Sequence, residues 1–302
     1  MTPAGDPGRD ALARSGRPPV DVVIPFAGSD TELEQLTRRA SSLARGPSDT
    51  IVIVDNRPRG PVPHAARVGV LSAPQQRSSY YARNQGTAAG HAPWLLFLDA
   101  DVEWPPNLID AYFEPEPGEC VGVLAGEFAD ARLAGDCTLA ERYAAEAGTM
   151  TQANSMQRPM PYAQTANCLV RRAAFEAVGG FAGGIRSGGD ADLCFRLQAA
   201  GWTVERREGA MVVHRNRREL SALLAQKARH GAGAAWLERR YAGSFPPRRW
   251  KGLAAWSVRS VVAAGRRGPG AVPVAAVDVL ATWAFELGRL LPNSARPSRR
   301  GR

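Results

Sequence analysis

The chain has 302 residues, of which 44% are hydrophobic, so it can bury a core as one large domain or as a domain with an appendage. Its four cysteines include no Cys-x-x-Cys pair, which argues against a zinc site and, at this length, against a disulfide framework. The net charge of +9 is uneven, because residues 205–302 carry +14 and the rest of the chain carries −5.

The N-terminal segment, residues 1–19, is rich in Pro, Gly and Arg and has no apolar stretch, so we predict disorder and no signal peptide there. No uninterrupted apolar run of 18 residues follows, since the best candidate, 270–291, contains Asp278, Glu286 and Arg289. The expected location is therefore the cytoplasm, with peripheral contact at the inner face of the cell membrane as an open alternative.

Apolar strand patterns alternate with helical patterns through the first hundred residues. Strands are predicted at Val20–Pro25, Ile51–Val54, Arg67–Leu71 and Pro93–Leu98. Ser29 or Asp30 can cap a first helix, and residues 77–91 form a second helical pattern. This alternation predicts an α/β fold with a doubly wound, mainly parallel sheet flanked by helices.

The same pattern continues to about residue 216 and then changes. Pro105 and Pro106 suit a helix start, strands are predicted at 121–125, 163–170 and 210–214, and helices at 172–178 and 190–200. Beyond 216 the pattern is helical and basic, with breaks at 243–247 and 265–273. We therefore expect a domain at 20–216, a basic helical extension at 217–291 and a disordered tail at 292–302.

The most informative feature is the apolar strand that ends in Asp99-Ala100-Asp101. Ligands of open α/β sheets bind beyond the carboxyl ends of strands, where these carboxylates would lie. Two neighbouring acids repel each other unless a cation separates them, and hard divalent ions share their coordination with substrate phosphates. The pattern favours a metal–diphosphate site, although an Asp-x-Asp can also cap the following turn.

Polar or small residues close the neighbouring strands as well. The first strand ends in Pro25-Phe26-Ala27-Gly28, a small-residue turn that lets a ligand approach the backbone. The second ends in Asp55, which can accept hydrogen bonds from a base or a ribose. Arg83, on the following helix, suits bidentate contact with a phosphate.

Six sequence blocks in this order resemble the family 2 glycosyltransferases, which have the nucleotide-diphospho-sugar-binding GT-A fold. The blocks are Val-Val-Ile-Pro at 22–25, Ile-Val-Asp-Asn at 53–56, Ala-Arg-Asn-Gln-Gly at 82–86, Phe-Leu-Asp-Ala-Asp at 97–101, Val-Arg-Arg-Ala-Ala-Phe-Glu-Ala-Val-Gly-Gly-Phe at 170–181 and Gly-Gly-Asp-Ala-Asp-Leu-Cys-Phe-Arg-Leu at 188–197. They cover roughly residues 20–216. The resemblance implies inverting, metal-dependent transfer of a sugar from a nucleotide-diphospho-sugar donor to a hydroxyl on a glycan, lipid-linked or small-molecule acceptor.

The resemblance also implies roles for the donor-side residues. Asp55 would contact the base, with Pro25 and Phe26 beside it, and Arg83 would support the nucleotide. Asp101 would be the principal ligand of Mg²⁺ or Mn²⁺, and Asp99 would bind the ribose, or the metal through water.

The second acidic cluster, Asp190 and Asp192, would supply the base that deprotonates the acceptor hydroxyl. Asp190 aligns with the base of the family pattern, and Asp192 is the fallback. Gly189 stands where family members usually have glutamate, which leaves the acceptor contacts open. Asp190 is also well placed to cap its helix, which is the alternative without a catalytic role.

Three further residues are candidates near this cluster. His214 ends the last core strand, where some GT-A enzymes complete the metal shell with a histidine, but a lone histidine is often only packed. Asn167 and Trp202 could line an acceptor pocket, although core packing suits the tryptophan better.

Other function classes fit the sequence less well. A Mg²⁺-dependent nucleotidyltransferase is the alternative enzyme, but no Gly-rich phosphate loop follows the first strand. A nicotinamide dehydrogenase is excluded on similar grounds, because no Gly-x-Gly-x-x-Gly follows the first strand. A specific nucleic-acid binder would leave the four aspartates without a purpose. The basic extension could instead dock on anionic membrane or pack as a helical cap, and the sequence leaves both open.

Overall fold

Eight strands form one mixed sheet in a computed structural model that describes residues 16–58, 68–131, 135–148 and 151–297. The strands are β1 Val20–Phe26, β2 Thr50–Asp55, β3 Gly69–Ser72, β4 Trp94–Leu98, β5 Val102–Glu103, β6 Val121–Asp130, β7 Asn167–Arg171 and β8 Thr203–His214. Their order across the sheet is β3-β2-β1-β4-β7-β6-β8-β5. The predicted α/β class and the mixed, mainly parallel sheet are confirmed.

Strand direction brings several strand ends to one edge of the sheet. β1 pairs in parallel with β2 and β4, β2 with β3, and β6 with β8. β7 runs antiparallel between β4 and β6, so that it begins where β4 ends. The carboxyl ends of β1, β2 and β4 and the start of β7 therefore lie together.

Ten α-helices lie among the described residues. They are α1 Asp30–Ala40, α2 Ser79–Thr87, α3 Leu108–Ala111, α4 Leu139–Glu146, α5 Gln152–Met156, α6 Arg172–Ala177, α7 Gly189–Ala199, α8 Leu220–Arg240, α9 Trp250–Arg267 and α10 Val272–Gly288. Ser29 caps α1 and forms a capping box with Glu32, as its position before the helix suggested. Gly179 and Gly180, with φ of 75° and 70°, follow α6 and end it.

The two faces of the sheet carry separate hydrophobic cores, because alternate residues of each strand point to opposite sides. Ile24 and Leu96 pack on Leu33 of α1 on one face. Phe97 packs on Phe175 on the other face, with ring centroids 5.7 Å apart. Burial of one such side chain stabilises the fold by about 1.5–3 kcal/mol.

Helices α8 and α10 approach each other closely through two glycines. A Cβ atom at Gly231 would lie 1.8 Å from the carbonyl oxygen of Phe285, and one at Gly288 would lie 2.1 Å from that of Ala228. Leu223 of α8 then joins a small hydrophobic cluster shared by α4 and α10. The basic extension therefore packs on the body as a helical cap, one of the two alternatives left open by the sequence.

Part of each terminal segment expected to be disordered is held on the body. Arg17 pairs with Asp49 at 2.6 Å, and its side chain is only 6% exposed. Near the other end, Asn293 exchanges hydrogen bonds with the backbone of Ser187. The prediction of disorder was wrong for residues 16–19 and 292–297, because these polar contacts anchor them; residues 1–15 and 298–302 lie outside the described part of the chain.

One helical stretch among the described residues, Pro269–Gly288, is long and apolar enough to cross a membrane by length and composition alone. From the sequence, this region was not predicted to span a membrane, because Asp278, Glu286 and Arg289 interrupt its apolar run. In the structure, Asp278 accepts a hydrogen bond from Tyr143, and Glu286 pairs with Arg289 at 3.0 Å. Both acids of this helix are thus engaged in contacts within the protein.

Candidate active site

The donor-side residues predicted from the sequence meet at one edge of the sheet. Pro25 and Phe26 close β1, Asp55 closes β2, and Asp99 and Asp101 follow β4 directly. The register pairs Phe26 with Asp55 across β1 and β2. The parallel strands therefore place five predicted residues on neighbouring strand ends.

Asp99 is held by Arg83, whose guanidinium donates a hydrogen bond to its carboxylate. The Arg83 side chain is only 3% exposed and lies against the rings of Tyr80 and Phe181, at 5.6 and 5.9 Å from their centroids. Its Nε atom is buried and has no hydrogen-bond partner in the described ranges. In this arrangement Arg83 positions the carboxylate of Asp99. The sequence had suggested instead that Arg83 contacts the nucleotide directly.

Asp101 lies beside His214 at the end of β8. Its Oδ2 atom is 3.9 Å from His214 Nε2, which is too far for a hydrogen bond, and His214 Nδ1 is buried without a partner among the described residues. Partial burial and the charge of Asp99 raise the pKa of Asp101, while His214 and Arg217 oppose the rise. Within the described part of the chain, Asp101 and His214 thus keep lone pairs that are available to a ligand.

These residues fit a divalent metal that shares its coordination with a substrate. Within the described ranges, no group of three or more His, Cys, Asp or Glu side chains is arranged to hold a metal by itself. Asp99 is engaged by Arg83, so the predicted set of Asp99, Asp101 and His214 is not a preformed three-ligand site. Asp101 with His214 beside it suits an ion whose remaining ligands are phosphate oxygens and water.

Asp55 is buried, and both of its carboxylate oxygens are bound by Arg57. Arg57 Nε donates to Oδ1 at 2.9 Å and Nη2 donates to Oδ2 at 2.8 Å. Arg57 also pairs with Asp30 at 2.6 Å and lies 5.4 Å from the centre of the Phe26 ring. Arg57 was not predicted from the sequence as a site residue. Its position two residues after the acid that ends β2 was a signal that it could pair with that acid.

Asp190 lies at the start of α7 and lines a cleft between the body and α8. The N-cap of this helix is Gly188, with φ of 85°, so Asp190 lies inside the first turn and is not the N-cap residue that the alternative reading required. Burial raises the pKa of Asp190, against the backbone N–H of Ala191 and the charge of Arg83. A carboxylate with a raised pKa is a stronger proton acceptor, which suits a general base.

The ring of Tyr80 explains why residue 189 is glycine. A Cβ atom at Gly189 would lie 2.8 Å from two carbons of this ring, so a larger side chain has no room there. The Tyr80 hydroxyl donates a hydrogen bond to Asp190 Oδ1 at 3.4 Å. Tyr80 was missed in the sequence; the signal was its position three residues before Arg83, on the same helix face.

Asp192, the fallback base, is committed to structure. Its side chain is 1% exposed and pairs with Arg196 at 2.7 Å and with Arg240 at 3.3 Å. The hydroxyl of Tyr241 donates to its second oxygen at 2.8 Å. Since Arg240 and Tyr241 belong to the end of α8 and its cap residue, Asp192 ties the cap to α7 and has no free oxygen for an acceptor.

Asn167 and Trp202 do not line the cleft. The Asn167 amide is fully buried, accepts a hydrogen bond from Tyr112 at 2.7 Å and donates to the backbone of Glu127 and Ala210. Trp202 precedes β8, at the end of the strand opposite His214, and packs on Gly122. Both acceptor assignments were wrong, because the first amide satisfies core backbone groups and the second residue lies at the far edge.

A cleft of about 280 Å³ lies between the sheet edge and the cap. From the body it is lined by Tyr80, Asp190 and His214. One face of α8 supplies residues at helical spacing to the opposite wall, namely Leu223, Gln226, Lys227, His230, Ala234 and Leu237. The C-terminal extension predicted from the sequence therefore supplies one wall of the candidate site.

Basic side chains from both the body and the cap line the cleft. Arg158, Arg217 and Lys227 line it, and within the described residues none of them forms an ion pair. Arg158 donates to the backbone of Ser244 at 2.9 Å, and Arg217 donates to Gln226 at 3.2 Å. Partial burial lowers the pKa of Lys227, and Asp278 opposes this. Such a wall favours an anionic ligand.

Comparison with known proteins agrees with this geometry. A pre-mycofactocin glycosyltransferase of Mycobacterium tuberculosis is 30% identical in an alignment 278 residues long, and the match covers 83% of this chain and 56% of that protein. The glycosyltransferase AglE of Haloferax volcanii is 26% identical over 225 residues, covering 72% of this chain and 73% of its own. The chain thus spans about half the length of the first of these relatives.

A solved structure shows the same fold. The mannosyltransferase PcManGT from Pyrobaculum calidifontis, in complex with GDP-Man and Mn²⁺, superposes with a TM-score of 0.53 at 17% identity. The match covers 89% of this chain and 75% of that one. Residues 18–233 match the family model described as glycosyltransferase like family 2. The chain therefore belongs to glycosyltransferase family 2 and has a GT-A fold followed by a helical cap.

Proposed function

We propose that this glycosyltransferase moves a sugar, with inversion, from a nucleotide-diphospho-sugar to a hydroxyl of a glycan, lipid-linked or small-molecule acceptor. The observation that carries the proposal is the composition of one cleft. A carboxylate with a raised pKa, Asp190, lines it together with His214, beside which Asp101 lies. A candidate base and a candidate diphosphate site thus serve the same space.

The donor would lie along the sheet edge with its diphosphate near Asp101. Asp55 is the proposed partner of the nucleoside, and contact with it requires Arg57 to release one of its two bonds. Arg217, whose charge acts on Asp101, is the proposed diphosphate contact on the cap side. Arginine suits this role because its donors match phosphate oxygens.

Asp101 and His214 would hold Mg²⁺ or Mn²⁺. When bound, such an ion supplies positive charge that stabilises the leaving diphosphate. The mannosyltransferase PcManGT, solved with GDP-Man and Mn²⁺, supports a metal and a nucleotide-sugar donor for this fold.

Asp190 would act as the general base in a single displacement. The acceptor oxygen forms a bond to the anomeric carbon while the bond from that carbon to the diphosphate oxygen breaks. The acceptor proton passes to an Asp190 oxygen, and the bonding pair leaves with the diphosphate. Because attack and departure occur on opposite faces, the anomeric configuration inverts. Positioning and electrostatic preorganisation would supply most of the acceleration.

Nucleotidyl transfer, the alternative enzyme class, loses support once the family is known, because the match covers residues 18–233 and both relatives are named glycosyltransferases. The cytoplasmic location stays a prediction.

A ligand screen tests the proposal. UDP-, GDP- and dTDP-sugars, each with Mg²⁺, Mn²⁺ or EDTA, are compared by thermal unfolding, since a ligand that binds only the folded state raises its stability by mass action. We expect one nucleotide class to stabilise the protein only when metal is present. Stabilisation by no nucleotide-sugar under any of these conditions would contradict the proposal.

A further inference from the structure

The outer face of α9 exposes apolar side chains in a helical stripe. Trp250, Val258 and Val262 are 48%, 66% and 50% exposed, and Val261 is 37% exposed. Their spacing places them within a sector of about 120° on one side of the helix, and the buried Leu253 lies outside this sector. A face of this kind is unusual for helices that meet only water.

The stripe continues onto α10. Leu280 and Leu287 are 47% and 50% exposed and lie seven residues apart, on one side of this helix. Trp283, between them in sequence, stacks on Trp250 with ring centroids 5.8 Å apart and donates a hydrogen bond to Ser257. The two helices therefore present their exposed apolar residues as neighbours; we call this surface the hairpin face.

On its α9 side, the hairpin face is bordered by positive charge alone. From residue 239 to residue 277 the chain has eight Lys and Arg residues and no Asp or Glu. Six of the eight lie on α9 or just before it and are exposed, namely Arg248, Arg249, Lys251, Arg259, Arg266 and Arg267. None of these six forms an ion pair within the described part of the chain.

We propose that the hairpin face binds peripherally to a lipid bilayer with anionic head groups. A bilayer offers both complements at once, since its surface phosphates attract Lys and Arg and its acyl boundary accepts Val, Leu and Trp. A nucleic acid would satisfy the cations and leave the apolar stripe in water. This surface lies on the cap and goes beyond the proposed sugar transfer.

The hairpin face can be tested separately from the catalytic cleft. No residue of α9 lines the cleft, so substitutions on its outer side leave donor binding intact. Val258, Val262 and Arg259 are all exposed, and changes there should also leave the core packed. The donor-induced rise in unfolding temperature then serves as an internal control, and failure of the proposed function would not affect the lipid result.

Vesicle flotation of the full chain tests the proposal. The wild type is mixed with phosphatidylcholine vesicles that contain or lack phosphatidylglycerol, and the bound fraction gives a partition coefficient. We expect binding only to the anionic vesicles. Arg259→Glu should lower the coefficient about thirtyfold, since each nearby cation contributes about 1 kcal/mol. Val258→Ser with Val262→Ser should lower it without any change of charge.

The matched control is Arg38→Glu, which makes the same charge change at an exposed position of α1, on the body. It should leave the partition coefficient unchanged. Equal losses for Arg259→Glu and Arg38→Glu would overturn the proposal, because attraction would then follow net charge. So would an absence of wild-type binding to anionic vesicles. A concentration-dependent dimer that the valine variant abolishes, without vesicle binding, would reassign the face to self-association.

Discussion

The sheet edge and the cleft beside it hold their charges in opposite ways. On the sheet edge, Asp55 and Asp99 are each bound by an arginine of the body. In the cleft, Arg158 of the body and Arg217 and Lys227 of the cap wall form no ion pair with an acid among the described residues. The difference shows that the sheet edge is set in advance, whereas the cleft has positive charge left for a ligand. An anion in the cleft, such as a diphosphate, would pair with this charge.

The largest effect is expected from detaching the cap. Asp192→Asn removes the charge that holds Arg196 and Arg240, and loss of one partner in a buried ion pair costs about 3 kcal/mol. Urea unfolding should show this loss. Asp136→Asn is the control, because its pair with Arg218 is exposed on both sides and should contribute little. Equal stability of the two variants would show that Asp192 does not anchor the cap.

The sheet edge is tested next by Asp101→Asn. If Asp101 is the principal metal ligand, donor affinity in the presence of metal should fall by about a hundredfold. Substitution of residues that only hydrogen-bond to a metal ligand already lowers metal affinity by about 10–100-fold. Calorimetry with and without EDTA measures this. Glu103→Gln, two residues away and paired with Arg215 on the surface, should bind as the wild type does. Unchanged metal dependence in Asp101→Asn would remove Asp101 from the metal site.

On the cap wall, Arg217→Gln tests whether the unpaired charge meets the diphosphate. Loss of a charge-assisted hydrogen bond of about 1.5 kcal/mol corresponds to roughly tenfold weaker donor binding. Arg215→Gln removes a neighbouring arginine that pairs with Glu103, and should have little effect. A donor affinity equal in both variants would mean that the cap wall does not contact the donor.

The smallest effect is a shift in pH dependence. Activity should fall as the pH drops through the pKa of Asp190, because the base must be ionised. Burial raises this pKa and the Tyr80 hydroxyl lowers it, so Tyr80→Phe should raise it further. The acidic limb of the rate profile should then move to higher pH, by a small amount because the hydrogen bond is long. A shift toward lower pH would contradict the assigned hydrogen bond.

The sheet edge was largely predictable from the sequence. Buried strands that end in polar residues are visible as patterns, and parallel pairing brings their ends together. Asn167 shows the limit of this reasoning. It begins β7 at the correct edge, but its amide turns into the core and bonds to backbone groups there. Which way a strand-end side chain turns depends on tertiary packing.

The cap side was less predictable. Asp190 was preferred to Asp192 only through the family resemblance. Residues two apart on a helix point about 200° away from each other, so only one of them can face the cleft. Which of the two does so depends on where α8 packs. The residues of α8 that line the cleft share one helix face, but the sequence did not show whether this face contacts the body, a ligand or a membrane.

Asp190 is proposed to take the proton of the acceptor hydroxyl in the cleft without contributing to donor binding. The most direct test measures, in one preparation of Asp190→Asn, the rate of sugar transfer and the dissociation constant of the donor. The account predicts a rate lower by about 10²–10⁴-fold, the usual contribution of a general base, with donor affinity close to the wild-type value. Transfer at the wild-type rate would contradict it.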